Sequence, residues 1–332
     1  MVIEFDDFLD NDEDVERLRE KPDLDTTLNA LRSNVDGSAD ATLFYGLAGL
    51  TMADASRAEP VWNGLPAEVR RKLLRHLVDI SESNFELDYR SLGTLALGDE
   101  DAEVRATAID LLWDDDTLEL MNRLIDLAQW DESIQVRATA IEALGRFILL
   151  GELGDLPEIE TIRAQDAAVN LLTNLDEDVD VRRRALEAIA NCGHEIVNEA
   201  IDEAYTSDDP RMQASALYAM GRTCDNRWDE IVLREIDHID PAIRYEAARA
   251  SGELEIEEAV PHLARLVQGH DREIKEVAIW SLGEIGGSYA LKILGALADE
   301  AEQDDDDLLE AIEEALGNAS LAGRDFDFDL DD

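Results

Sequence analysis

The stretch Asp209–Gly221, DPRMQASALYAMG, decides the fold, because it returns in altered form at fixed intervals. It reads DPAIRYEAARASG from Asp240 and DREIKEVAIWSLG from Asp271. Upstream it reads DVDVRRRALEAIA from Asp178, SIQVRATAIEALG from Ser133 and DAEVRATAIDLLW from Asp101. Weaker copies are PAEVRRKLLRHLV from Pro66 and DDDLLEAIEEALG from Asp305. The aliphatic anchors are Val69, Val104, Val136, Val181, Met212, Ile243, Ile274 and Leu308, in steps of 35, 32, 45, 31, 31, 31 and 34 residues. A repeat period of roughly 20–50 residues marks stacked supersecondary units.

Each copy carries the signals of a helix. The leading Asp is an N-cap whose carboxylate accepts from the unpaired N–H groups of the first turn. Pro210 and Pro241 follow Asp209 and Asp240, at the position where a helix tolerates proline best. Counted from each anchor, positions 0, +4 and +8 fall on one apolar stripe. Ala108, Ala140, Ala185, Ala216, Ala247 and Ala278 stand at +4, where small side chains let helices approach. Gly145, Gly221, Gly252, Gly283 and Gly317 stand at +9 and are expected to serve as left-handed caps. Second helices are expected over 117–129, 194–205, 228–237, 256–268 and 288–300. Pro261 falls in the first part of one of them, where its missing N–H costs little. The body shows no alternating strand pattern.

The pattern D-x-x-V-R-x-x-A-x-x-A-L-G resembles HEAT repeats, specifically the phycobilin-lyase-type HEAT-like repeat. Val104-Arg105, Val136-Arg137, Val181-Arg182 and Ile243-Arg244 match its Val-Arg core. The layout also resembles that of bacterial HEAT-repeat proteins. The resemblance implies an all-α fold, a right-handed α-solenoid of stacked antiparallel helix pairs with the second helix of each pair on the concave side. It further implies a ladder of polar contacts between repeats, made by the capping and Arg residues. Those residues are Asp101, Arg105, Arg137, Asp178, Arg182, Asp209, Asp240, Arg244 and Asp271. Ser133 replaces the Asp in one repeat and Gln213 the Arg in another, so interruptions are expected there.

Four regions follow. Residues 1–22 are an acidic N-terminal segment, and 23–65 an atypical helical cap. Residues 66–317 are the repeat array, with an insertion near 147–160 that reads as a loop or a long connection. Residues 318–332 are an acidic-aromatic tail. Within the cap, DLDTTLNALRS and ADATLFYGLAGLTMA read as two helical segments. Atypical ends suit an array whose terminal units need a polar outer face. In the tail, Phe326, Phe328 and Leu330 alternate with acids. This reads as a disordered segment or as a docking motif for a basic, apolar groove.

The chain carries 29 Lys+Arg against 79 Asp+Glu, a formal net charge of −50. Such a field repels nucleic acid and anionic lipid, so neither is an expected partner. The acidity reads either as a solvated surface or as a steering field toward a basic partner. Cys192 and Cys224, the two cysteines, match no disulfide or zinc pattern and are expected to be buried thiols in a reducing compartment. The longest apolar run, Ala41–Ala53, is too short to span a bilayer. The N-terminus lacks a basic region before an apolar core, so a cytoplasmic monomer is expected.

Catalytic constellations are missing from the sequence. His76, His194, His238, His262 and His270 sit in different repeats. Deoxyhypusine hydroxylase, a HEAT-repeat enzyme, holds two irons with several His-Glu pairs. This chain has one such pair, His194-Glu195, and offers Asp229-Glu230 and Glu257-Glu258 in the adjoining repeats. No nucleophile elbow, phosphate loop or dinucleotide motif appears, and no cofactor is expected. The face opposite the buried stripe carries more information. Position +6 reads Asp110, Glu142, Glu187, Tyr218, Arg249, Trp280, and Tyr245 stands at +2. Tyr, Trp and Arg are enriched at interface hot spots. Tyr218, Tyr245, Arg249 and Trp280 are therefore either helix-surface filler or a partner-binding patch. The expected function is a non-enzymatic scaffold for a protein partner with a basic or apolar surface. The alternative is an enzyme or enzyme subunit related to the HEAT-like bilin lyases or the hydroxylase.

Overall fold

A computed structural model describes residues 21–300 and 305–322. Every regular element among them is helical. The chain divides into two compact units at Leu144/Gly145. The first holds α1 (Leu24–Ser33), α2 (Ala41–Leu47), α3 (Met52–Trp62), α4 (Ala67–Ser83), α5 (Arg90–Ala96), α6 (Ala102–Leu111) and α7 (Leu118–Trp130). Helix α8 (Ile134–Glu152) runs through the division. The second unit continues with α9 (Glu158–Thr173), α10 (Val179–Ile189), α11 (Val197–Tyr205), α12 (Pro210–Arg222) and α13 (Asp229–Glu235). It ends with α14 (Pro241–Glu253), α15 (Val260–Leu266), α16 (Arg272–Ile285), α17 (Gly287–Glu300) and α18 (Asp306–Ala322).

The helix starts follow the capping chemistry. Asp101, Asp178, Asp209, Asp240 and Asp271 each accept a backbone N–H of the first turn. The apolar stripe then goes inward: Val104, Val181, Met212, Ile243 and Ile274 are all buried, as are Ala108, Ala185, Ala216, Ala247 and Ala278.

In the second unit, signature helices α10, α12, α14, α16 and α18 stack consecutively along their length. The intervening helices α15 and α17 touch far less. The signature helices are thus the continuously packed layer of this unit.

The +9 glycines are not caps. Gly145, Gly221, Gly252 and Gly283 lie inside their helices, and none has positive φ. Each instead meets position +7 of the next repeat. A Cβ on Gly145 would come 3.0 Å from the Cα of Ala188, and one on Gly221 would come 3.0 Å from that of Ala250. For Gly252 and Ser281 the separation would be 2.8 Å, and for Gly283 and Ala315 2.9 Å. The left-handed residues come three positions later, at Cys224 (φ 50°), Glu255 (φ 53°) and Gly286 (φ 66°). Cys224 is therefore exposed at a chain reversal, and Cys192 is half-buried. The expectation of two buried thiols is corrected by this turn geometry.

The cap and the insertion also differ from expectation. The run 41–53 is two helices, α2 and α3, because Gly49 turns left-handed (φ 56°). Thr51 and Asp54 then close a reciprocal capping box at the start of α3. The extra residues near 147–160 are largely helical. They lengthen α8 to 19 residues and begin α9, which is the second helix of that repeat.

The signature Arg residues grip their own repeat first. Arg105 Nη1 donates to the Asp99 carbonyl at 2.9 Å, Arg137 to that of Asp131 at 2.9 Å and Arg244 to that of His238 at 2.7 Å. Each bond reaches six residues back and braces the turn before the helix. Gln213 makes the same bond to the Ser207 carbonyl at 2.8 Å, so the brace within the repeat is kept where glutamine replaces arginine. Arg182 departs from the pattern and donates to the Leu172 carbonyl at 3.1 Å. Near Ser133 the missing Asp is supplied two residues earlier. Asp131 accepts from the Ser133 N–H at 2.9 Å and takes a bidentate pair from Arg105 at 2.7 and 2.9 Å.

Candidate functional site

Three consecutive signature helices of the second unit carry the four residues singled out at positions +2 and +6. Tyr218 stands on α12, Tyr245 and Arg249 on α14, and Trp280 on α16. The structure brings two of them into direct contact. The Arg249 guanidinium lies 4.8 Å from the centroid of the Tyr218 ring, and Arg222 lies 5.3 Å from it. Cation–π attraction holds such groups together. Glu253 fixes both cations: Arg249 Nε donates to Oε1 at 3.1 Å, and Arg222 Nε lies 3.4 Å from the same oxygen. Burial works against the charge on Arg249, and Glu253 and Glu246 more than restore it. Tyr245 is half-buried beside Glu246, and Trp280 is 37% exposed. Among the described residues, neither forms a ring pair with Tyr218.

A carboxylate cluster underlies this patch. Glu187 on α10 is buried, accepts from Arg184 Nη1 at 2.6 Å, and also accepts from the Ser215 hydroxyl. Glu246 Oε2 is buried without a hydrogen-bond partner. Burial pushes the Glu246 carboxyl up to about 7; Glu187 and Glu253 add to the rise, while Arg249 and Arg184 oppose it. Burial likewise holds Glu253 above the usual range, against the pull of Arg222 and Arg249.

The Glu246 shift has a testable sign. Its folded value lies above its unfolded value, so the contribution is complete below about pH 4.5 and is lost as pH rises through about 7. Glu246→Gln is therefore expected to leave stability unchanged at pH 4.5. It should add about 2 kcal/mol at pH 8 after allowance for solvent screening. Urea unfolding midpoints at the two pH values check this, and an equal effect at both contradicts it.

Sequence reasoning missed Arg222, Glu246 and Glu253. The signal was present: charged residues at +3 and +10 flank the +6 line on the same face. Phe326, Phe328 and Leu330 lie outside the described residues, as do residues 1–20. Among the described residues, no group of three or more His, Cys, Asp or Glu is placed to hold a metal. No helix among them is long and apolar enough to cross a membrane.

Helix pairs stacked through small-residue seams define an α-solenoid repeat protein. The HEAT-repeat family model matches residues 90–168 and 230–317, half of the chain, and the chain belongs to that family. Distant structural likenesses accompany this match. The CpcE–CpcF phycocyanin lyase complex of Nostoc is 18% identical, with 69% of this chain and 94% of that chain covered and a TM-score of 0.45. Human deoxyhypusine hydroxylase is 16% identical, over 90% of this chain and 97% of that one, with a TM-score of 0.36. Yeast importin-β, Kap95p, is 14% identical, over 90% and 46%, with a TM-score of 0.48. No curated protein sequence matches the chain.

Proposed function

We propose that this HEAT-repeat scaffold is non-enzymatic and binds a protein partner on the signature helices of its second unit. Tyr218, Tyr245, Arg249 and Trp280 are the contact residues. The observation that carries the reading is the Tyr218 ring held by Arg249 and Arg222, both tied to Glu253. Aromatic and guanidinium groups that are ordered before binding lose little side-chain entropy on contact. The exposed Trp280 extends this platform one repeat further. Arg249 and Arg222 present planar donors within a chain of net charge −50, which favours a partner with mixed polar and apolar contacts at that spot.

The test compares wild type with the triple variant Tyr218→Ala, Arg249→Ala, Trp280→Ala. Partners are captured by site-specific cross-linking from the patch, and each is quantified. We expect at least tenfold lower recovery of specific partners by the variant, the loss of about 1.4 kcal/mol or more. Equal recovery overturns the patch.

A further inference from the structure

In the second unit the intervening helices leave a gap that the signature helices do not. Helices α15 and α17 barely touch, and a groove of about 340 Å³ opens between them. Ala264 on α15 and Ala296 on α17 are too short to close it. Tyr289, Ile293 and Leu297 recur every fourth residue and form an apolar stripe along α17, with Tyr289 55% exposed. Lys292 is exposed on the same lining and pairs with no carboxylate among the described residues. In a chain with 79 acids, an ammonium beside an apolar groove marks a place for an occupant that is both apolar and anionic.

The chain carries such a segment close by. Past α18 the sequence runs GRDFDFDLDD from Gly323, with Phe326, Phe328 and Leu330 alternating with aspartates. Helix α18 runs alongside α16 in the same direction: Gly283 faces Ala315, and Asn318 Nδ2 donates to Glu284 Oε1 at 3.2 Å. One further turn brings Ala322, the end of α18, level with the start of α17, where Tyr289 stands. From there four residues reach up to about 14 Å, more than the roughly 10 Å diameter of a helix. Phe326 is thus within reach of Tyr289 across the first turn of α17. In an extended segment alternate residues share a side and recur about every 6.6 Å. That nearly matches the interval of about 6 Å at which Tyr289, Ile293 and Leu297 recur along their helix.

We infer that the acidic-aromatic segment, which lies outside the described residues, docks in cis in the α15–α17 groove. Phe326, Phe328 and Leu330 meet the apolar stripe, and the intervening aspartates meet Lys292. Tethering favours the chain's own segment over that of a second copy. A short linker gives an effective concentration of about millimolar, whereas two chains of net charge −50 repel each other. A partner segment of the same chemistry has to displace this one to reach the groove. The groove is built from intervening helices and the Tyr218 patch from signature helices, so either proposal can fail alone.

The test uses the full chain with Phe328→p-benzoylphenylalanine, irradiated at low concentration, and the cross-linked peptides are mapped by mass spectrometry. We expect cross-links within one chain, concentrated on Tyr289, Ile293, Leu297 and Ala264. Lys292→Glu changes an exposed side chain and should lower the groove yield about threefold. Lys72→Glu makes the same change of charge in the first unit and should leave the yield unmoved. The proposal is overturned if cross-links scatter without preference for the groove, or if Lys292→Glu has no more effect than Lys72→Glu. Cross-links that form mainly between chains also overturn it, since a second copy would then be the occupant.

Discussion

Asp99→Ala is expected to cost the first unit about 3–5 kcal/mol, enough to unfold its central repeat. Asp99 and Arg70 form an ion pair at 2.9 Å with side chains 1% and 3% exposed. Trp62 Nε1 also donates to Asp99, at 2.9 Å, and so does the Asp101 N–H. Removing the carboxylate leaves a buried indole N–H and a backbone N–H without this acceptor, and a buried guanidinium without its buried counter-charge. The Leu65 carbonyl, 2.5 Å from Arg70 Nη1, remains as a neutral partner, and the Glu100 carboxylate, 3.3 Å from Nη2 and 87% exposed, balances little of the charge because solvent screens it. Paired replacement, Arg70→Met with Asp99→Leu, should recover much of the loss, because it removes both charges together. Urea unfolding followed by far-ultraviolet circular dichroism measures both. A single variant within about 1 kcal/mol of wild type would mean that water reaches the pair.

Gly252→Val is expected to cost about 3 kcal/mol and to uncouple the repeats on either side of it. Even the Cβ of alanine would sit 2.8 Å from the Cα of Ser281, a backbone atom that cannot swing away. Overpacking of this kind costs about 1–3 kcal/mol, and helix propensity returns about 1 for Gly→Ala. Alanine should therefore be mild and valine severe. Ser281 is fully buried, and its hydroxyl reaches the Ala248 carbonyl of the previous repeat at 2.8 Å. Displacing Ser281 strains that bond as well. Stability in a repeat array is a sum of units and nearest-neighbour interfaces. Weakening one interface should thus split the urea transition in two, whereas a loss of propensity would only shift it. A single unsplit transition, displaced to lower urea, would contradict the uncoupling.

The helices and their inward faces were legible because capping and burial are local, periodic signals. Asp209 and Asp240, each with proline next, announce a helix start from four adjacent residues. The glycines were misread because +9 glycine is compatible with two physical roles. A cap is a property of one helix; a close approach depends on the neighbour. The clue lay in pairing each +9 glycine with the small residue at +7 of the next repeat, Ala188, Ala250, Ser281 or Ala315. The candidate patch was half legible. Position +6 identified Tyr218 and Arg249, but the Glu253 tie and the unpartnered Glu246 oxygen need distances between helices.

The brace that Arg105, Arg137, Gln213 and Arg244 each make to the carbonyl six residues back bears on how such a chain can grow. Because the bond closes within one repeat, a duplicated block of 31 residues carries its own turn geometry with it. A new copy then needs one match from its surroundings, a glycine facing a small residue across the seam. Gene duplication can meet that condition in a single event, since the copy brings both halves of the seam. Three equal steps of 31 residues between Val181 and Ile274 match the spacing that such copying would produce.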